Sequence, residues 1–371
     1  MAPIPRLKPY AGPALFAYGF RPFFLFGALH AGAMILVWMC VFTGAFAVPT
    51  AFAPRDWHVH EMLYGYVPAV VTGFLLTAIP NWTGRLPLQG GPLLILFLAW
   101  LAGRVAVTFS DTIGWLFALA IDGGFLLLVG LLAAGNIAFH LEAHFSGAAD
   151  TSARVGLAVV IMLIMLIGGR IVPSFTRNWL ARENPGRLPV PFGRFDMVAV
   201  ALGAAALALW IVLPQATVTG LALFAACALH ATRLVRWAGD RAARERLVLI
   251  LHLGYAFIPV GFVLTGMAAL DLAPAAAGIH AFAGGAVGTM TLAVMTRASL
   301  GHTGRALVAS RATQAIYAAI VLGAVLRIAA AIAPAQAMLL LAIAGLLWSA
   351  AFLGFGAAYG PMLLTAPQRG A

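Results

Sequence analysis

Uninterrupted apolar runs, each about twenty residues long, decide what this chain can become. They fall at roughly 23–47, 62–80, 92–109, 113–138, 154–173, 195–213, 217–236, 247–269, 277–296, 313–333 and 336–359. A backbone in lipid must satisfy its own amides and carbonyls, so such runs are helices or the strands of a closed barrel. Barrel strands alternate over about ten residues, whereas these runs are continuous and rich in Leu, Ala and Gly. A water-soluble fold is excluded by composition, because 63% of residues are apolar and 9% charged, against roughly 45–50% and 25% in soluble domains. The expected fold class is therefore all-α, a polytopic integral membrane bundle of about 11–12 helices. It reads as a single transmembrane domain over 1–371, with a short N-terminal segment at 1–21 and a short tail at 360–371.

The formal charge of +11 does not point to nucleic acid. The arginines stand beside the ends of apolar runs, where they meet anionic lipid and set orientation. The basic loops at 174–194, 237–246 and 297–311 alternate correctly for one cytoplasmic side. Eleven spans would then place the N-terminus, with Arg6, Lys8 and Arg21, on the opposite side. A twelfth segment in the first half would return it to the cytoplasm, and the reading leans that way. Cys40 and Cys227 both fall within spans, so buried free thiols are expected rather than a disulfide framework.

Ionisable groups at membrane depth are costly, and function is sought there first. Trp57-His58-Val59-His60-Glu61-Met62 opens the second span with three candidate metal ligands. His58 and Glu61, three apart, share a helix face, and His60 shares its own with Tyr64. One member can also orient another through a carboxylate–histidine bond. The plainer alternative is an interfacial Trp–His belt in which Glu61 caps the helix. His252 stands near the start of its span with Tyr255 and Pro259. His280 opens the next, above Gly284 and Gly288, whose small-residue row admits a close helix or a flat macrocycle. Paired membrane histidines are a common way to hold haem, although either residue can equally be an ordinary buried hydrogen-bonding group. His30 is a further candidate of the same kind. Arg297 leads into Leu300-Gly301-His302-Thr303-Gly304-Arg305, a loop able to pair an anionic group or simply to turn in the cytoplasm. Arg170 sits comparably in Gly168-Gly169-Arg170-Ile171-Val172-Pro173. His140 and His144, four apart, could bind a metal together, but in a polar loop they are read as solvated, and His230 is read as interfacial.

Three long segments resemble the NnrS family: WHVHEMLYGYVPAVVTGFLLTAIPNWTGR, GGRIVPSFTRNW and IHAFAGGAVGTMTLAVMTRASLGHTGR. They occur in the family's order, and the apolar pattern between them fits along nearly the whole chain. The resemblance implies a multi-pass protein of the bacterial inner membrane, usually drawn with twelve helices. It also implies haem b and copper, with a role in denitrification and in tolerance of nitric oxide and nitrosative stress. The matching positions His58, His60, Glu61, Arg170, Asn178, His252, His280, Arg297 and His302 are then where ligation or its support is sought. The working assignment gives haem b to two of His60, His252 and His280, with Arg297 at a propionate. Copper falls to His58 with Glu61 or His302, supported by Arg170, Asn178 and Tyr64. The expected ligand is nitric oxide or an iron-nitrosyl species.

Two other classes compete. A transporter of metal, haem or a small nitrogen species predicts related halves around broken helices, and no convincing internal repeat is visible. A sensor or partner subunit predicts an attached signalling segment. Whether the chain turns over a substrate is not decided by its sequence.

Overall fold

Backbone bonding inside lipid leaves helix as the remaining choice for these runs, and the computed structural model bears this out. It describes residues 10–84, 86–129 and 133–366, and contains no strand among them. The long helices of the first half are α1 (Phe20–Phe42), α2 (Pro54–Pro80), α3 (Gly91–Thr108), α4 (Trp115–Val129), α5 (Ala133–Ser146) and α6 (Asp150–Glu183). There follow α7 (Arg194–Val212), α8 (Thr217–Val235), α9 (Arg246–Ala269), α10 (Ala275–His302), α11 (Arg311–Ile332) and α12 (Pro334–Leu364). Among the described residues ten helices are long and apolar enough to cross a membrane. This is a polytopic helical membrane protein.

The expected span at 113–138 includes 130–132, which lie outside the described residues, between α4 and α5. Arg6, Lys8 and the end of the expected C-terminal tail lie outside them too. Several helices outrun their apolar stretch. α6 continues through the polar residues 174–183, and α10 carries His302 in its last turn.

Three of the spans contain a wide π-type turn, at Glu61–Tyr66, Ile164–Gly168 and Ala281–Gly288. Such turns are rare and recur at functional sites. Pro68 follows the first; it has no N–H to give to the carbonyl four residues back, and its ring crowds that carbonyl. The third is built from Ala-Phe-Ala-Gly-Gly-Ala-Val-Gly, whose three glycines weaken the preference for a regular helical turn.

The chain forms two compact units. The first comprises Met1–Gly156, Ala298–Ala306 and Phe352–Ala371; the second comprises Leu157–Arg297 and Leu307–Ala351. In the first unit, Phe20, Phe23 and Phe24 of α1 are buried along with Phe97 and Trp100 of α3. Arg21, 1% exposed, donates from Nη1 to the carbonyls of Leu363 (3.0 Å) and Thr365 (2.7 Å). A cation thereby caps the C-terminal end of α12, where the helix dipole favours positive charge.

In the second unit the helices meet through small residues, as expected where lipid offers no hydrophobic drive for association. A side chain at Gly220 of α8 or Gly266 of α9 would come within 3.2 Å of the other's carbonyl. The unit is cross-braced by Arg233. Its Nε donates to Asp196 at 2.8 Å, and its Nη1 to the Met165 carbonyl at 2.7 Å and the Tyr255 hydroxyl at 2.8 Å. Tyr255 in turn donates to His230 Nδ1 at 2.8 Å, and His230 Nε2 donates to the Ala199 carbonyl at 3.1 Å. His230 is fully buried, not interfacial; Arg233, three residues on, draws that helix face inward. Both cysteines are free thiols, but Cys40 is exposed rather than buried.

Candidate metal centre

In the first unit α2, α3, α4 and α5 bring together the densest group of buried polar side chains. α2 contributes His60 and Glu61 where its wide turn begins, α3 contributes Arg104, α4 Asp122, and α5 Asn136 and His140. Each is at most 5% exposed. Glu61 is the hub on one side. Its Oε1 accepts from Arg104 Nη1 at 2.7 Å and from His60 Nδ1 at 3.4 Å, and its Oε2 lies 3.1 Å from His30 Nε2. Asp122 is the hub on the other side. Its Oδ1 accepts from Arg104 Nη2, while its Oδ2 accepts from Asn136 Nδ2 at 2.9 Å. The same Oδ2 lies 3.3 Å from His60 Nε2 and 3.9 Å from His140 Nε2.

The local sequence explains the convergence. Gly65 lies within the wide turn, and a Cβ there would strike Arg104 Nη1 and His30 Nε2. Glycine is therefore what lets both side chains reach Glu61. The Gly65 carbonyl accepts from the Trp100 indole at 2.8 Å, one α3 turn before Arg104. Gly103 likewise makes room for the Asp122 carboxylate. Asn136 and His140 are four apart on α5 and so share a face.

Arg104 carries one positive charge against the two negative charges of Glu61 and Asp122. A buried net charge is expensive, and the balance is met either by an imidazolium at His60, whose nitrogens lie 3.4 Å from Glu61 Oε1 and 3.3 Å from Asp122 Oδ2, or by a metal ion. The donor atoms of His60, Asp122 and His140 all lie within 4.8 Å of one another. A metal with bonds of about 2.0–2.2 Å would draw such donors somewhat closer together than they now stand. His140 Nε2 is buried without a hydrogen-bond partner among the described residues. With Nδ1–H given to Glu61, the neutral His60 ring has its lone pair on Nε2, where it accepts from Asn136 Nδ2 at 3.0 Å and lies 3.3 Å from Asp122 Oδ2; a metal bound there would take the place of the Asn136 bond. A carboxylate–histidine bond of this kind orients metal ligands. The residues fit a metal ion.

A comparison with protein families matches NnrS protein over residues 14–132 and 122–366. The chain belongs to the NnrS family. No curated protein matches it. NnrS membership over most of the chain fits a multi-pass membrane protein of the nitric-oxide response.

The sites expected from this NnrS sequence are distributed as follows. His60, Glu61 and Tyr64 belong to the cluster, Tyr64 packing its ring 5.5 Å from that of His60. Glu61 orients His60 and holds Arg104. His58 points elsewhere, its ring stacked on Trp38 at 4.6 Å. His302 stacks on Tyr18 at 5.8 Å. In the second unit, Thr176 donates its hydroxyl to the Val172 carbonyl and therefore accepts from His252 Nε2 at 2.8 Å. The other nitrogen, His252 Nδ1, is buried without a partner among the described residues, against Gly239. His280 gives Nδ1–H to the Ala276 carbonyl at 2.8 Å. Arg297 lies over the Phe175 ring at 4.1 Å, and Arg170 over Phe192 at 5.6 Å. Asn178 is exposed.

Arg104, Asp122 and Asn136 went unread in the sequence. Arg104 and Asp122 are single charged residues within long apolar runs, and the cost of placing them there was the signal. His140 is 2% exposed, not solvated: the polar segment that suggested a loop at 139–153 is helical through Ser146.

Proposed function

We propose that this protein is a metal-dependent component of the nitric-oxide response in the bacterial inner membrane, with a metal ion held by His60, Asp122 and His140. The observation that carries the reading is the fit of those donors: two imidazole nitrogens and a carboxylate oxygen, buried and mutually close. Two nitrogens and one oxygen suit copper(II) and non-haem iron(II). Either metal would supply a redox-active Lewis-acidic centre for nitric oxide. The chain's own contribution is to fix the His60 tautomer through Glu61, to hold both carboxylates with Arg104, and to exclude water.

For the haem b implied by the family, His280 is the best-suited candidate. Its Nδ1–H bond to Ala276 places the lone pair on Nε2, the arrangement of a ligating imidazole. A Cβ at Gly284, one turn on, would meet no described atom within 4 Å, whereas one at Gly288 would strike Trp348. Gly288 is thus helix packing, and Gly284 is the open member of the pair.

The test is metal analysis with optical and electron paramagnetic resonance spectra of the purified protein, before and after nitric oxide. Asp122→Asn and His140→Ala should lose the metal signal while remaining monodisperse, and His280→Ala should lose haem absorbance alone. Unchanged metal content in the Asp122 and His140 variants would refute the assignment. A folded protein carrying neither metal nor haem would favour the transporter reading.

A further inference from the structure

A half-open pocket of about 310 Å³ lies in the first unit at the loop between α1 and α2, with Val41, Val48, Phe52 and Trp57 on its inner side and the exposed Gly44, Phe46, Ala47 and Pro54 at its mouth. None of its lining residues is ionisable. Of the polar groups on it, the Thr50 hydroxyl is engaged, donating to the Val107 carbonyl at 3.0 Å. The Trp57 indole N–H is buried with no acceptor among the described residues.

Phe52 has two faces to its role. It lines the cavity, and its ring also packs on two of the three proposed metal ligands. It stacks on His60 at 5.1 Å and 27°, and lies 4.9 Å from the His140 ring. The backbone beside it is anchored: Ala51 N–H donates to Ser110 Oγ at 2.9 Å, and Asp111 N–H to the Pro49 carbonyl at 3.4 Å. With the chain held there, turning the Phe52 side chain is the small motion that would join cavity to cluster.

We propose that this cavity is the access chamber by which a small, uncharged, apolar molecule reaches the cluster, and that Phe52 is the positioning residue that gates it. The proposal rests on the metal reading above and names the class of molecule that site admits. Selection follows from solvation. An anion or hydrated cation would surrender its water to walls that offer no charge in return, whereas a neutral diatomic loses little. Xenon enters apolar sites and so serves as a neutral probe of this one. The volume is at the lower edge of small-molecule sites, about 300–1,000 Å³, which suits a chamber for small guests.

Two measurements on the full-length protein test this. Xenon-pressurised crystals should show xenon in the wild-type cavity and none in Val48→Trp; Ala47→Phe serves if that variant does not fold. Stopped-flow mixing of the metal-loaded protein with nitric oxide should show association slowed severalfold by Val48→Trp and quickened severalfold by Phe52→Ala. Azide, an anion, should respond to neither change. A wild-type cavity without xenon, or nitric-oxide association unmoved by both substitutions, would overturn the chamber. Xenon bound in a protein that carries no metal would overturn the metal reading and the route, leaving a binding site for small apolar molecules.

Discussion

Replacing Arg104 by Met keeps the length of the side chain and removes its charge. The guanidinium spans two carboxylates, one nitrogen on Glu61 at 2.7 Å and the other on Asp122, with the residue only 5% exposed. Its loss leaves two anions buried with no fixed cation between them. Removing one partner of a buried ion pair costs about 3–5 kcal/mol. In a membrane the unfolded chain also finds polar partners, so the lower end of that range is expected. Lysine should restore only part of the loss, because a single ammonium cannot fork between two carboxylates. Steric-trap unfolding in bicelles would read the stability, and metal analysis of the same samples the occupancy. The decisive comparison is Arg104→Met combined with Glu61→Gln. Neutralising one of the stranded carboxylates should recover stability, with a coupling of about 0.5–3 kcal/mol. A single variant as stable as wild type, or a double variant whose losses simply add, would refute the account of Arg104 as the counter-charge of both carboxylates.

Other changes test other parts of the structure. Gly65→Ala should cost about 1–3 kcal/mol and lower metal content, since its methyl group would displace Arg104 and His30; a stable, metal-replete variant would contradict the close approach. Arg21→Gln should cost about 1.5–3 kcal/mol per charged hydrogen bond lost, read by heating in detergent followed by size-exclusion chromatography. On the extramembrane loop, the Arg187 guanidinium beside Asp240 holds its carboxyl below the usual range. That contribution is complete above the ordinary carboxylate range and fades as pH falls through the lowered folded value. Asp240→Asn should therefore lose, by no more than about 1 kcal/mol, at neutral pH, with the difference from wild type vanishing in acid. A difference that grows towards low pH would reverse the assigned sign.

The helical membrane fold was legible because its cause is local. Each apolar run announces a span, and lipid leaves few alternatives. The His60–Glu61 segment was legible for a similar reason, since two ionisable residues at the head of a span stand out wherever they pack. The rest of the cluster was hidden by distance along the chain. Arg104, Asp122 and Asn136 each look like an isolated blemish in an apolar run, and only packing shows that one guanidinium serves two carboxylates from different helices. His140 was misjudged because polar neighbours such as Glu142 suggested solvent, although on a helix they occupy another face. The length of α6 was hidden in the same way, by polar residues on the continuing helix.

The bond from Arg21 to the end of α12 bridges 342 positions of sequence at Leu363. During synthesis α1 is therefore inserted long before the carbonyls that answer its guanidinium exist. A nascent chain must keep that charge solvated at the membrane surface, or lend it to lipid phosphate, until Leu363 and Thr365 have been made. A product truncated before Leu363 would expose an unanswered cation at the start of α1, a mark by which membrane quality control can tell such a copy from one that has α12.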